Sequence, residues 1–201
     1  MSVLKKNIIK NFHISTLLFF FLVHCYAKVE SNFNIDQWQG LDLQGNTVIL
    51  KDLNYKRIAL NVYSQTCKPC IEEIPTLNYL DSEIKKDKSL KLYLVVDPYD
   101  ITEKNRTETF SVVYPLATKI MQEEKTKRSI QAEILIMQPP FKISPPPEQG
   151  LITGRPETLL FKTNPLLLYY NFIGPISTSK EIQDIQKEAK VLFFLKMLGG
   201  F

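Results

Sequence analysis

Two cysteines, Cys67 and Cys70, stand with two residues between them, and Glu73 comes three residues later. The remaining cysteine, Cys25, and both histidines, His13 and His24, fall within the first 27 residues. Without an imidazole, the rest of the chain is closed to Ser/His and Cys/His nucleophilic catalysis. Two thiols also fall short of a structural zinc site, which takes four ligands, mostly cysteine and histidine. A bridge across so short a spacing closes a tiny loop and removes little entropy from the unfolded chain, so it is no long-range staple. Two readings stay open on the residues alone: a redox-active dithiol and an inert local bridge.

The flanking sequence says which elements carry the pair. Upstream, Arg57 to Tyr63 is a short apolar run of strand character, followed by the polar residues Ser64, Gln65 and Thr66. Downstream, Ile71, Ile74, Leu77, Leu80 and Ile84 recur every three or four residues, the stripe of an amphipathic helix. The cysteines therefore sit where a strand ends and a helix begins. At a helix N-terminus, free amides and the helix dipole favour a thiolate, and a cysteine pKa of about 8.5 falls to about 3.5–7.5. Cys67 gains most from that position, and Cys70 lies one turn further in. Lys68 adds a positive charge nearby, and Pro69 suits a first helical turn.

These residues carry a resemblance. Cys67-Lys-Pro-Cys70 with Pro75 five residues after the second cysteine is similar to the active-site helix of the thioredoxin superfamily. The resemblance is closer to the TlpA/ResA group of thiol:disulfide oxidoreductases. Leu43 to Leu53 resembles the hairpin that opens those domains, and Asn61 matches an asparagine six residues before their first cysteine. Glu73 matches the glutamate of their "E-x-P" motif. Gly154 to Phe161 resembles the segment in which a cis proline, here Pro156, enters a strand, and Phe172 to Ile176 the end of the next hairpin. The resemblance spans roughly residues 33 to 198.

The resemblance implies a role for each matched residue. Cys67 is the attacking thiolate and Cys70 the resolving thiol of a dithiol-disulfide exchange. Glu73 projects to the same side of the helix as the cysteines and, partly buried, holds or relays a proton. Glu72 faces solvent. Pro156, in cis, faces the dithiol, and the backbone of Arg155 pairs with an extended substrate segment. No cofactor and no metal is implied.

The N-terminus reads as a secretory signal peptide over residues 1–27. Lys5, Lys6 and Lys10 precede the apolar core Leu17 to Val23, and Ala27 ends a cleavage site. Lipidation at Cys25 is the lesser alternative, because His24 replaces the small residue such processing needs; anchoring to the membrane through the N-terminus is the other. The chain of 201 residues has 25 Lys and Arg against 21 Asp and Glu. Once the three lysines of the leader are set aside the excess of cations falls from four to one. The basic balance thus belongs to export and gives no support to nucleic-acid binding. Ordinary composition, 44% hydrophobic and 23% charged with 7 Gly and 12 Pro, predicts one domain over 28–201.

That domain is expected to be a thioredoxin-like α/β fold: a central mixed sheet flanked by helices on both faces, with an N-terminal β-hairpin extension. A helix is expected over 107–127, breaking at Pro115, and a strand over 132–137. An irregular, proline-rich insertion comes next, at about 138–153. Trp38 is expected to pack rather than act, and Thr66 stands where many relatives carry tryptophan. One capped helix is expected from Thr178 to Leu198, with Thr178 and Glu181 as a capping box and Ile182, Ile185, Ala189 and Leu192 buried.

The functional expectation is a periplasmic thiol:disulfide oxidoreductase. It reduces disulfides of exported proteins and receives electrons from a membrane donor of the CcdA/DsbD kind. The alternatives are a DsbA-like oxidant, a non-catalytic peptide-binding or chaperone module that uses the groove at Pro156, and a copper-handling dithiol.

Overall fold

The computed structural model describes residues 33–148 and 150–199, which lie in the compact unit Phe33–Phe201. The expected leader, its cleavage site and Cys25 lie outside the described residues. Seven strands form one mixed sheet. They are β1 Gln39–Asp42, β2 Thr47–Ile49, β3 Arg57–Val62, β4 Leu90–Val96, β5 Glu133–Met137, β6 Glu157–Lys162 and β7 Leu167–Ile173, in the spatial order β2-β1-β5-β4-β3-β6-β7. β3, β4 and β5 are parallel, while β6 and β7 run antiparallel on one side and the hairpin β1–β2 on the other. The expected thioredoxin-like α/β architecture, with its N-terminal hairpin, is thus present. Gly40 is needed where β1 meets β5, because a Cβ there would lie 2.9 Å from the Ile136 carbonyl oxygen.

The helices are α1 Lys68–Glu72, α2 Ile74–Ile84, α3 Pro98–Ile101, α4 Phe110–Arg128, α5 Ile182–Ile185 and α6 Ala189–Gly199. Alternation along the strands divides the core in two. Ala59, Leu92, Leu94, Ile134, Ile136 and Leu160 join one cluster, together with side chains of α2, α4, α5 and α6. Ile58, Leu60, Val62, Val95, Leu135 and Phe161 join the other, which is covered by Trp38, Leu50, Phe141 and Ile152. The sequence leads one to expect helices on both faces; among the described residues the α-helices supply side chains to only one of these clusters. The reason is topological. The β3-to-β4 and β4-to-β5 crossovers step the same way across the sheet, and two right-handed crossovers in one direction bring α2 and α4 to the same face.

The second face is therefore closed by the short 3-10 turns Ile35–Gln37 and Leu50–Asp52 and by irregular chain. The described residues of 138–153 hold no helix or strand, yet Phe141 and Ile152 are fully buried. Trp38 packs edge-on to Phe141 with ring centres 5.0 Å apart, which gives it the packing role expected of it.

Two helix expectations need correction. α4 starts at Phe110 rather than Thr107 and runs unbroken through Pro115. That proline withholds an N–H only from the Ser111 carbonyl, and the buried Val113, Ala117 and Met121 hold the helix in place. The C-terminal segment is two helices, not one. Ser177 and Ser179 donate to the Glu188 carboxylate instead of capping a helix at 178, and α5 begins only at Ile182. The stripe turns accordingly: Ile185, Val191, Phe194 and Leu198 are buried, whereas Ile182 and Leu192 are 59% and 52% exposed.

Candidate functional site

β3 ends at Val62, and the polar turn after it leads into Cys67, which is the N-cap of α1. The Cys67 N–H donates to the Ser64 carbonyl at 3.1 Å, and Cys67 Sγ accepts the Cys70 N–H at 3.2 Å. The two cysteines form a disulfide with their Cα atoms 5.2 Å apart. Cys67 is half-buried and Cys70 fully buried, so only the first sulfur offers a face to an incoming group. Pro69 occupies the first turn of α1, as its fixed φ favours.

Pro75 sets the shape of the helical segment beyond Cys70. It has no N–H to give the Ile71 carbonyl, and the helix divides there into α1 and α2 with Glu73 at the junction. The Glu73 side chain points inward and is 0% exposed. Its Oε1 accepts the backbone N–H of Ile176 at 2.6 Å, and its Oε2 accepts Asn61 Nδ2 at 3.2 Å. Burial pushes the carboxyl up from its ordinary value to about 7, against the pull of the Ile176 N–H, the Asn61 amide and the Lys190 charge. A carboxyl poised there exchanges a proton near neutral pH. The carboxyl is thus more deeply buried than the partial burial expected of it. Glu72, by contrast, is partly exposed and lies 3.8 Å from Lys68.

The segment before β6 reaches the same end of the sheet. Val62 pairs with Glu157 and Asn61 with Thr158, so the start of β6 lies beside the end of β3 from which the cysteine turn departs. The Arg155–Pro156 peptide bond is cis and Pro156 is buried. The Arg155 guanidinium contacts the Asp100 carboxylate and, with Ile143 and Pro145 of the proline-rich insertion, lines a cleft of about 250 Å³. The insertion thus borders Arg155 while its Phe141 fills the core. Thr66, beside Cys67, is exposed. Among the described residues no group of three or more His, Cys, Asp and Glu side chains is disposed to hold a metal ion.

Several groups here were not anticipated from sequence. Thr158 Oγ1 accepts the second Asn61 Nδ2 hydrogen at 2.9 Å, and the buried Glu157 accepts from Thr153 N and Asn171 Nδ2 at 2.9 and 3.0 Å. Gln65 Nε2 ties the cysteine turn to the Ile101 carbonyl at 2.7 Å. Strand alternation was the available signal for Thr158, since it shares a parity with Leu160, which faces α2.

No family model matches the chain. The thiol-disulfide oxidoreductase ResA of Bacillus anthracis is 36% identical over 76 residues, which are 38% of this chain and 44% of that protein. The protein of the same name from Bacillus cereus (strain ATCC 10987 / NRS 248) is 34% identical over 90 residues, 45% of this chain and 52% of that one. The chain thus spans about half the length of the curated relatives it matches. Among solved structures, a thiol:disulfide interchange protein from Bacteroides sp. covers 81% of this chain and 86% of its own at 15% identity, with a TM-score of 0.48. In sequence, over 76 to 90 residues, this chain is similar to the thiol-disulfide oxidoreductases named ResA.

Proposed function

We propose that the chain is a thiol:disulfide oxidoreductase of the periplasm that reduces disulfides of exported proteins through Cys67 and Cys70. The observation that carries this reading is the disulfide itself: a half-buried Cys67 capping a helix and bonded to a fully buried Cys70. An inert bridge has no use for that asymmetry, whereas exchange requires one sulfur to be reachable and the other held behind it.

In the first step, Cys67 thiolate attacks one sulfur of the substrate disulfide, forming a mixed disulfide and releasing the other substrate sulfur as a thiolate. Cys70 then gives its proton to the Glu73 carboxylate and attacks Cys67 Sγ. That step closes the Cys67–Cys70 disulfide, releases the second substrate thiolate and leaves two electrons on the substrate. Glu73 suits this proton because it is buried one turn beyond Cys70 and poised near neutral pH. Pro156 and the backbone of Arg155 receive the extended substrate segment. A membrane donor of the CcdA/DsbD kind resupplies the dithiol, and the leader carries the chain across the membrane.

The test is the equilibrium reduction potential of the Cys67/Cys70 pair, read by thiol trapping in glutathione and dithiothreitol buffers. A value near or below about −270 mV supports the reductase, and one near about −120 mV makes the protein an oxidant instead. A pair that does not exchange, in a protein that still binds extended peptides, replaces the enzyme with the binding module.

A further inference from the structure

Asn61 is 1% exposed, and its amide sends one hydrogen to Glu73 Oε2 at 3.2 Å and the other to Thr158 Oγ1 at 2.9 Å. Its Oδ1, also buried, has no hydrogen-bond partner among the described residues. A buried acceptor left without a partner is unfavourable, so this orientation is maintained against a penalty. What it secures is two donors aimed at fixed oxygens. An amide hydrogen bond to Oε2 is stronger when that oxygen carries charge, so this contact favours the carboxylate form. The register supports it independently. Asn61 and Thr158 are direct cross-strand partners, and Thr158 lies two residues beyond Pro156.

We infer that Asn61, held by Thr158, is a positioning residue that stabilises the carboxylate form of Glu73 and ties the junction of α1 and α2 to the strand behind Pro156. Its consequence for catalysis rests on the exchange reading above; the hydrogen-bond chain does not. Any movement of β6 when a substrate segment seats at Pro156 shifts the Thr158 hydroxyl, and with it the donor that favours release of the Glu73 proton. The other groups facing Glu73 are few. The loop after β7 contributes the Ile176 N–H, and α6 contributes the charge of Lys190, whose Nζ is itself bound to the Pro175 carbonyl. On its own helix the neighbouring charged groups, Glu72 and Lys68, are paired and open to solvent, and the two cysteines are silent while disulfide-bonded.

The test tracks the Glu73 side-chain carboxyl carbon by NMR through a pH titration of the oxidised full chain, in which neither Cys67 nor Cys70 titrates. Asn61→Leu removes the donor at similar volume and is expected to raise the Glu73 midpoint by about one pH unit or more, the scale of a lost hydrogen bond to a carboxylate. Thr158→Val removes only the anchor and raises it by about half as much, and Thr158→Ser, which restores the hydroxyl, returns it to the wild-type value. If Asn61→Leu does not fold, the Thr158 pair alone decides. An unchanged midpoint in a folded Asn61→Leu or Thr158→Val protein overturns the inference. The pH profile of exchange by the reduced protein is measured alongside. A profile that moves with the midpoint supports both readings, whereas a shifted midpoint with a fixed profile keeps the Asn61 inference and removes Glu73 from the exchange chemistry.

Discussion

The two faces of the sheet are built from alternate residues of the same strands, yet they do different work. Along β3, Ile58, Leu60 and Val62 enter a cluster with Trp38, Phe141 and Phe161, closed without an α-helix among the described residues. The intervening positions, Ala59, Asn61 and Tyr63, look toward the helices, where Glu73, Thr76 and Thr158 are buried among apolar side chains. Two of the buried carboxylates, Glu157 and Glu73, show the difference. Glu157 accepts from Thr153 N, Thr153 Oγ1 and Asn171 Nδ2, and so pins the loop before β6. Glu73 is as fully buried but accepts from two donors. The lesson is that one buried acid ties a loop to its strand, whereas burial of the other, opposed by only two hydrogen bonds and the Lys190 charge, leaves its proton negotiable near pH 7.

The sharpest way to break this contrast is to separate chemistry from stability. Cys67→Ser replaces a thiolate by a hydroxyl that is not ionised at neutral pH, and exchange with a model disulfide is expected to fall by at least about 10³-fold. The loop that the lost disulfide closed is too small for its removal to matter much to folding. Rates from stopped-flow thiol exchange, beside unfolding curves, check both halves. A variant that unfolds would make the pair a staple after all.

Phe141→Ala tests the other face. Its ring is 1% exposed and stacks edge-on to Trp38, so truncation is expected to cost about 3–5 kcal/mol in denaturant unfolding. Exchange per folded molecule should stay within about twofold, because no partner of Cys67 or Glu73 lies in that cluster. A large loss of exchange in the folded variant would mean that the two faces are coupled through the insertion beside Arg155.

Glu73 makes the contrast visible as pH dependence. Its carboxyl binds a proton more tightly when folded, near pH 7, than in the unfolded chain, near pH 4.5. Stability from this group is therefore fully present below about pH 4.5 and is lost as pH rises through about 7, by about 3 kcal/mol in all. Glu73→Gln removes the titrating group and is expected to flatten that slope while slowing exchange by about tenfold to a hundredfold. Unfolding free energies at intervals from pH 4 to 8 decide it, and a slope that persists in the variant assigns the effect to another group.

Much of this arrangement was legible from spacing. The strand, the turn, the helix interrupted by a proline and the two cysteines are local features, set by alternation, by a three-to-four periodicity and by the missing N–H of Pro75. The second face was not. Nothing local says that Phe141, in a run with prolines on both sides, fills a core position, because that depends on which face the crossovers leave bare. The partners of Glu73 were hidden for the same reason: Ile176 and Asn61, itself held by Thr158, meet it only once β3, β6 and the loop after β7 are in place. The C-terminal segment divides into two helices where a single one is expected, because Ser177 and Ser179 spend their hydroxyls on Glu188, a pairing across 11 and 9 residues that a capping pattern does not reveal.

The smallest effect belongs to the residue whose type looks most electrostatic. Lys68 stands beside Cys67 in sequence, and a cation so near a thiolate is expected to depress its pKa. In the fold its side chain is 85% exposed and reaches toward Glu72, 3.8 Å away. Solvent and a counter-charge therefore screen it from the sulfur, and an exposed i,i+4 pair of this kind is worth about 0.3–0.5 kcal/mol. Lys68→Ala is expected to change stability by no more than that and the exchange rate by less than about threefold, with little dependence on salt. A tenfold or larger loss that 1 M salt abolishes would place the ammonium at the thiolate in the reduced protein. The helix N-terminus and the backbone donor from Cys70 would then no longer be sufficient to activate Cys67, and the reactive face of the sheet would depend on a surface charge as well as on its buried acid.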